Sequence, residues 1–186
     1  MREAIAEETN TVGQEFNKVA LDLLVASAEE LFDSYKCTIS RREITGASVP
    51  GQEVNLGAAC GFTGEFVRGM LAIAIDDQLA SVINPVANGA KDANYDWIGE
   101  LANQLLGRLK NKLLSWNVEV ALSTPVVVHG AQLSIASLQR KAEQIDFNAN
   151  ESSTISVWWD AEVDPALELT QENAPEVQAE GEMVLF

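Results

Sequence analysis

Apolar residues recur at helical spacing from Glu15 to Tyr35 in "EFNKVALDLLVASAEELFDSY", with Phe16, Val19, Leu23, Ala26 and Leu31 as candidate core positions. The polar residues before it read as a flexible segment over 1–12. "CTISRREI" predicts a short strand, and "SVPGQ" a turn. A clean alternation follows, with Val54, Leu56, Ala58, Cys60 and Phe62 on one face and Glu53, Asn55, Gly57, Ala59 and Gly61 on the other. That period of two is the mark of a half-buried strand. After "FTGE", the partner strand "FVRGMLAIAI" is apolar on both faces, which places it centrally in a sheet.

Further along, Asp76 or Asp77 can cap a short helix through "QLASVIN" that Pro85 ends. "VANGAKD" reads as a loop, and Asp92 to Trp116 is the longest helical pattern. "NVEVALS" and "VVVHG" read as strands around Thr124-Pro125, where the proline demands a bend or an edge position. "AQLSIASLQRKAEQIDF" fits either period and is read as strands, and a last alternation points Ile155, Val157, Trp159, Ala161 and Val163 inward. The expected class is α+β: one domain over 13–163, a mostly antiparallel mixed sheet layered by two long helices. Residues 164–186 carry no core pattern apart from the apolar end "MVLF" and read as an acidic, disordered tail.

Charge narrows the chemistry. The 186 residues carry a net charge of −16, which argues against nucleic acid and anionic membrane surfaces, since both are bound through Lys and Arg. No Lys or Arg occurs from Ala142 to the end. The opening "MREAIAEETN" has acids where a secretory leader needs an apolar core, so a cytoplasmic location is expected. Cys37 and Cys60 match no metal or redox spacing, and with the single His129 they make no metal site. They read as buried, reduced thiols, and His129 as a structural histidine.

One helical stretch stands out. In "GELANQLLG", Gly99 to Gly107, a lone acid is followed three residues later by an amide, and a glycine costs the helix about 1 kcal/mol against alanine. On the helical wheel Ile98, Leu101, Ala102, Leu105, Leu109, Leu113 and Trp116 form the core stripe, while Asp96, Glu100, Asn103 and Gly107 cluster opposite. E-x-x-N alone is weak; Glu7 with Asn10 supplies another copy. By spacing, the cluster is a solvated face, a docking face, or a site where a neutral amide guides water onto an electrophile brought by another molecule.

Context distinguishes these. "GFTGEFVRGML" resembles the G-x-x-G-x-x-x-x-G hairpin of the CheC/CheX/FliY chemotaxis phosphatases, "DWIGELANQLLG" their E-L-x-N-x-x-x-G signature, and "STPVVVHG" their S-x-P-x-x-x-x-G strand, in the right order. The likeness is greatest to the single-site CheX members and stops short of the acidic tail. It implies a CheC/CheX-like two-layer fold and hydrolysis of the aspartyl-phosphate on a CheY-type receiver domain. Glu100 would then pair with the receiver's active-site lysine, Asn103 would hold the attacking water, and Asp96 and Gly107 would contact the partner. No cofactor of its own is implied, because Mg²⁺ comes with the receiver, and a homodimer is implied.

Two-site relatives carry a second signature on the N-terminal helix; here "EFNKV" offers Glu15 with Lys18, so one site is expected. The rival reading is a non-catalytic module of the same fold that binds a response regulator or a flagellar-switch component. Elsewhere, Trp158 on the polar face of its strand marks either an interface or a covered patch, and Arg108, Lys110 and Lys112 read as stabilisers of the helix end.

Overall fold

The computed structural model describes residues 2–42, 54–86, 91–131, 133, 142–150 and 153–171; for 2–10, 91 and 92 it describes the backbone. Helix α1 spans Arg2–Ser34, so helix begins well before Glu15. Its buried stripe is Phe16, Ala20, Leu24, Ala28 and Leu31, whereas Val19, Leu23 and Ala26 are only half-buried. Ala20 and Ala28 are taken in because α1 packs against both α3 and the sheet, where a small residue permits close approach. Hydropathy ranks Val and Leu above them and so rotates the expected stripe.

Strands β1 (Ile39–Arg41), β2 (Leu56–Gly64), β3 (Val67–Ile75), β4 (Val120–Leu122), β5 (Val126–His129), β6 (Glu143–Ala149) and β7 (Ser153–Val163) form one sheet. Its order is β1-β6-β7-β3-β2-β4, with β5 also on β2, and each of these pairings is antiparallel. As expected, β3 is internal, between β2 and β7. Most of the inward sets of β2 and β7 hold: Leu56, Ala58, Cys60, Phe62, Ile155, Val157, Trp159 and Ala161 are buried in the main core. Val54, which precedes β2, packs beside Trp158 instead, and Val163 is only half-buried. The hairpin glycines answer to close approach. A Cβ on Gly64 would collide with the Glu119 carbonyl, and one on Gly69 with the Asp160 carbonyl and the Phe62 ring.

Helix α2 (Asp77–Ile83) is capped by Asp76, whose carboxylate accepts from the Leu79 N–H at 2.6 Å. Buried Asn84 then ties its exit to α3 (Lys91–Leu113), donating to the Ala93 carbonyl at 3.1 Å. A 3-10 turn over Leu114–Trp116 finishes the long helical pattern. Lys112 on α3 reaches Glu30 on α1 at 2.7 Å, a role in helix packing. Phe16, Phe62 and Trp159 fill the layer between sheet and helices, so the class is α+β with helices on one face.

Trp158 is only 4 % exposed, beside Val54, Ala72 and Ala74, and its indole N–H donates to Gln144. It is a covered patch. Packing also continues past Val163, because Leu167 is buried in the main core. The turn "SVPGQ", the segment 134–141 and the tail from 172, "MVLF" included, lie outside the described residues. No helix among the described residues is long and apolar enough to cross a membrane.

Candidate functional site

The site forms where α3 crosses the edge of the sheet. β4 and β5 both pair with β2, and between the two ladders Ser123, Thr124 and Pro125 stand opposite Cys60 and Gly61. One residue too many is a bulge. Ser123 mends it: its N–H donates to the Gly61 carbonyl at 2.9 Å, and its hydroxyl accepts from the Gly61 N–H at 2.9 Å. Pro125 sits where no ladder N–H is required. The bulge carries Pro125 and Val127 toward α3, and Gly99 admits them: a Cβ there would stand 3.3 Å from Val127 Cγ2 and 3.9 Å from Pro125.

The result is a shallow open cleft of about 340 Å³ lined by Tyr95, Asp96, Gly99, Glu100, Asn103, Pro125 and Val127. Three of the four residues singled out on the wheel, Asp96, Glu100 and Asn103, line it together. Gly107 is one turn further along the helix, where a Cβ would meet nothing within 4 Å among the described residues. No internal packing demands that glycine. Asn103 is half-buried rather than solvent-facing, because the β5 edge rises beside it. Its amide stays open: the Cys60 thiol approaches Oδ1 only at 3.9 Å, and its shorter bond, 2.9 Å, goes to the Ser123 carbonyl. Glu100 is exposed, and one of its oxygens accepts from Gln104 Nε2 at 3.0 Å.

Periodicity had no means of finding Tyr95, Pro125 and Val127, whose role depends on a long-range crossing. Gly99, which opens the quoted stretch, did carry a signal: a glycine inside a helix marks a close approach. The remaining candidates are structural. His129 Nε2 lies 3.5 Å from Asp77 Oδ2 and its ring is 5.5 Å from that of Tyr95, which pins the end of β5 to α2 and α3. Both cysteines are buried and free. Burial raises the Cys37 thiol pKa, and it raises that of Cys60 despite opposing hydrogen bonds with Ser123, so both thiols stay neutral near pH 7. Among the described residues no group of three or more His, Cys, Asp or Glu could hold a metal ion.

This arrangement of hairpin, bulged edge and signature helix has relatives. The family model described as "Chemotaxis phosphatase CheX" matches residues 56–148, half of the chain. The chain belongs to the CheX family. The family is one of chemotaxis phosphatases, and the match takes in β2, β3, α3 and β5 together. Solved CheX structures share the fold. The chemotaxis protein CheX of Vibrio vulnificus superposes with a TM-score of 0.63 at 20% identity, covering 76% of this chain and 96% of its own. CheX of Desulfovibrio desulfuricans gives 0.63 at 16%, covering 77% and 99%. A CheX–CheY–BeF3–Mg²⁺ complex from Borrelia burgdorferi gives 0.62 at 16%, covering 76% and 97%. Comparison with curated proteins gives no match.

Proposed function

We propose that this chain is a phosphatase acting on the aspartyl-phosphate of a CheY-type receiver domain, in chemotaxis or related two-component signalling. The observation that carries the reading is the open amide of Asn103 beside the exposed carboxylate of Glu100 in one cleft. In the reaction, water attacks phosphorus and the bond to the aspartyl oxygen breaks, giving a carboxylate and inorganic phosphate. An acyl phosphate needs no nucleophile from this chain. It needs water held in line, and a neutral amide can accept from water through oxygen and donate through nitrogen at any physiological pH.

Glu100 and Asp96, two acids one turn apart on the cleft rim, supply the charge to meet a receiver lysine. Mg²⁺ belongs to the receiver in this reading, in keeping with the neighbour complex that contains CheY, BeF3 and Mg²⁺. The test is the decay of a phosphorylated CheY-type receiver with and without this protein. Accelerated decay supports the phosphatase; unchanged decay across several candidate receivers makes the chain the non-catalytic binder. Homodimerisation belongs to the same proposal, and the mass of the protein in solution decides it.

Two variants dissect docking. Glu100→Ala is expected to weaken receiver binding about tenfold, as loss of a charge-assisted contact does, and to lower turnover at subsaturating receiver. Titration calorimetry reads it directly. Gly107→Leu should act with opposite signs on two measurements. The helix gains up to about 1 kcal/mol in a urea melt because Gly is the poorer helix former, while a side chain in the clearance above the helix blocks the receiver. Retained binding in Gly107→Leu removes Gly107 from the interface.

A further inference from the structure

We infer that Tyr35 and Gln104 form a relay that holds the Glu100 carboxylate ready for a partner's cation; this rests on Glu100 being the docking residue. The relay begins at the end of α1. Lys36 turns the chain with φ 58°, and the N–H groups of Tyr35, Lys36 and Cys37 return to the carbonyls of Phe32, Asp33 and Phe32 at 3.1, 2.8 and 2.9 Å. This is a left-handed helix stop, and it directs Tyr35 at α3. There the tyrosine ring meets Trp97 edge-on, with centroids 5.6 Å apart and planes at 89°. Its hydroxyl donates to Gln104 Oε1 at 3.1 Å, and Gln104 Nε2 donates to Glu100 Oε1 at 3.0 Å.

The chemistry of the three groups allows one direction only. An ionised carboxylate can only accept, so Gln104 must turn its Nε2 to Glu100 and its oxygen to Tyr35, and Tyr35 must donate. Reversing the amide would set oxygen against oxygen. The carboxylate therefore decides which end of Gln104 faces it, and the Tyr35 hydroxyl holds that orientation by donating to the other end. With Oε1 engaged, and no donor on Oε2 among the described residues, the second oxygen is left for the partner. A long, exposed side chain ordered before the encounter loses less freedom on binding, so the relay raises affinity without touching the reacting atoms. Gln104 falls on the α1 side of Glu100 and Asn103 on the sheet side, so the two neighbours on the helix face divide the work.

The experiment measures binding of a CheY-type receiver loaded with beryllofluoride and Mg²⁺, and steady-state turnover of the phosphorylated receiver. Tyr35→Phe and Gln104→Leu should each weaken binding roughly three- to tenfold and raise KM by a similar factor, with kcat within about twofold. Gln104→Glu should be worse, since it sets like charge against Glu100. In a Glu100→Ala background all these effects should vanish. Nitrogen-15 relaxation of the Gln104 side-chain amide supplies a readout that needs no partner: ordered in the wild type, mobile in Tyr35→Phe. The relay is overturned if the losses persist undiminished in the Glu100→Ala background, which would mark general destabilisation, or if the wild-type amide is already mobile. Binding and coupling without accelerated decay would sink the phosphatase reading and leave the relay standing. A wild type that binds no receiver would overturn docking and the relay's purpose together, while an ordered amide would show that the relay had formed.

Discussion

Asn103→Ala is expected to abolish accelerated dephosphorylation while leaving receiver affinity within about threefold of the wild type. The amide is half-buried at the wall of the cleft, where among the described residues its one hydrogen-bond contact is the distant Cys60 thiol, so truncation to alanine removes no internal hydrogen bond of consequence. What it removes is a positioned donor and acceptor for water. Loss of one such preorganised group costs about 10²- to 10³-fold in other hydrolytic sites. Geometry should matter as much as chemistry. Asn103→Gln keeps the amide but moves it by a methylene, and a misplacement of about 1 Å can cost 10²-fold. Asn103→Asp keeps the size but brings negative charge to an anionic phosphoryl group. All three variants should bind a beryllofluoride-activated receiver and fail to hasten decay of the phosphorylated one. Wild-type turnover in Asn103→Ala would move the chemistry elsewhere.

Trp159→Ala should have the largest effect on stability. The indole is stacked on Phe62 with centroids 4.7 Å apart and planes at 8°, lies 6.5 Å from the Phe16 ring, and donates its N–H to Asn17 at 3.0 Å. It is 1 % exposed. Truncating an aromatic in such a position costs about 3–5 kcal/mol, through lost burial and the cavity left behind. Domains of this kind hold only about 5–15 kcal/mol in total. The urea midpoint, followed by circular dichroism, should therefore fall steeply. Trp159→Phe should lie between, because it keeps most of the apolar contact and loses the bond to Asn17. A midpoint unchanged in Trp159→Ala would mean that α1 docks on the sheet without it. If α1 loosens, Tyr35 at its end loosens too, so receiver affinity should fall in Trp159→Ala even though residue 159 is buried in the core, away from the cleft.

The linear sequence by itself determined the elements whose signal is local. Period-two alternation marked β2 and β7 and most of the residues they send to the main core, because successive side chains of a strand point to opposite faces. Helical spacing marked α3, and the wheel placed Asp96, Glu100, Asn103 and Gly107 away from the core stripe. Asp76 and Pro85 bounded α2, since a capping carboxylate and a residue lacking an N–H act within one turn. The ordered motifs were enough to assign the family. Tertiary structure alone decided the rest. Ala20 and Ala28, rather than Val19 and Leu23, join Phe16, Leu24 and Leu31 in the α1 stripe, because closeness of approach is set by what lies opposite. Trp158 is covered because other parts of the fold reach the outer face of the sheet. Pro125 and Val127 enter the cleft because a bulge redirects one strand against a glycine of a helix, and Tyr35 meets Gln104 across 69 residues of chain. Periodicity reports which way a side chain faces along its own element. Which neighbour it meets, and therefore whether a Glu and an Asn off the core stripe form a site, depends on how the elements cross.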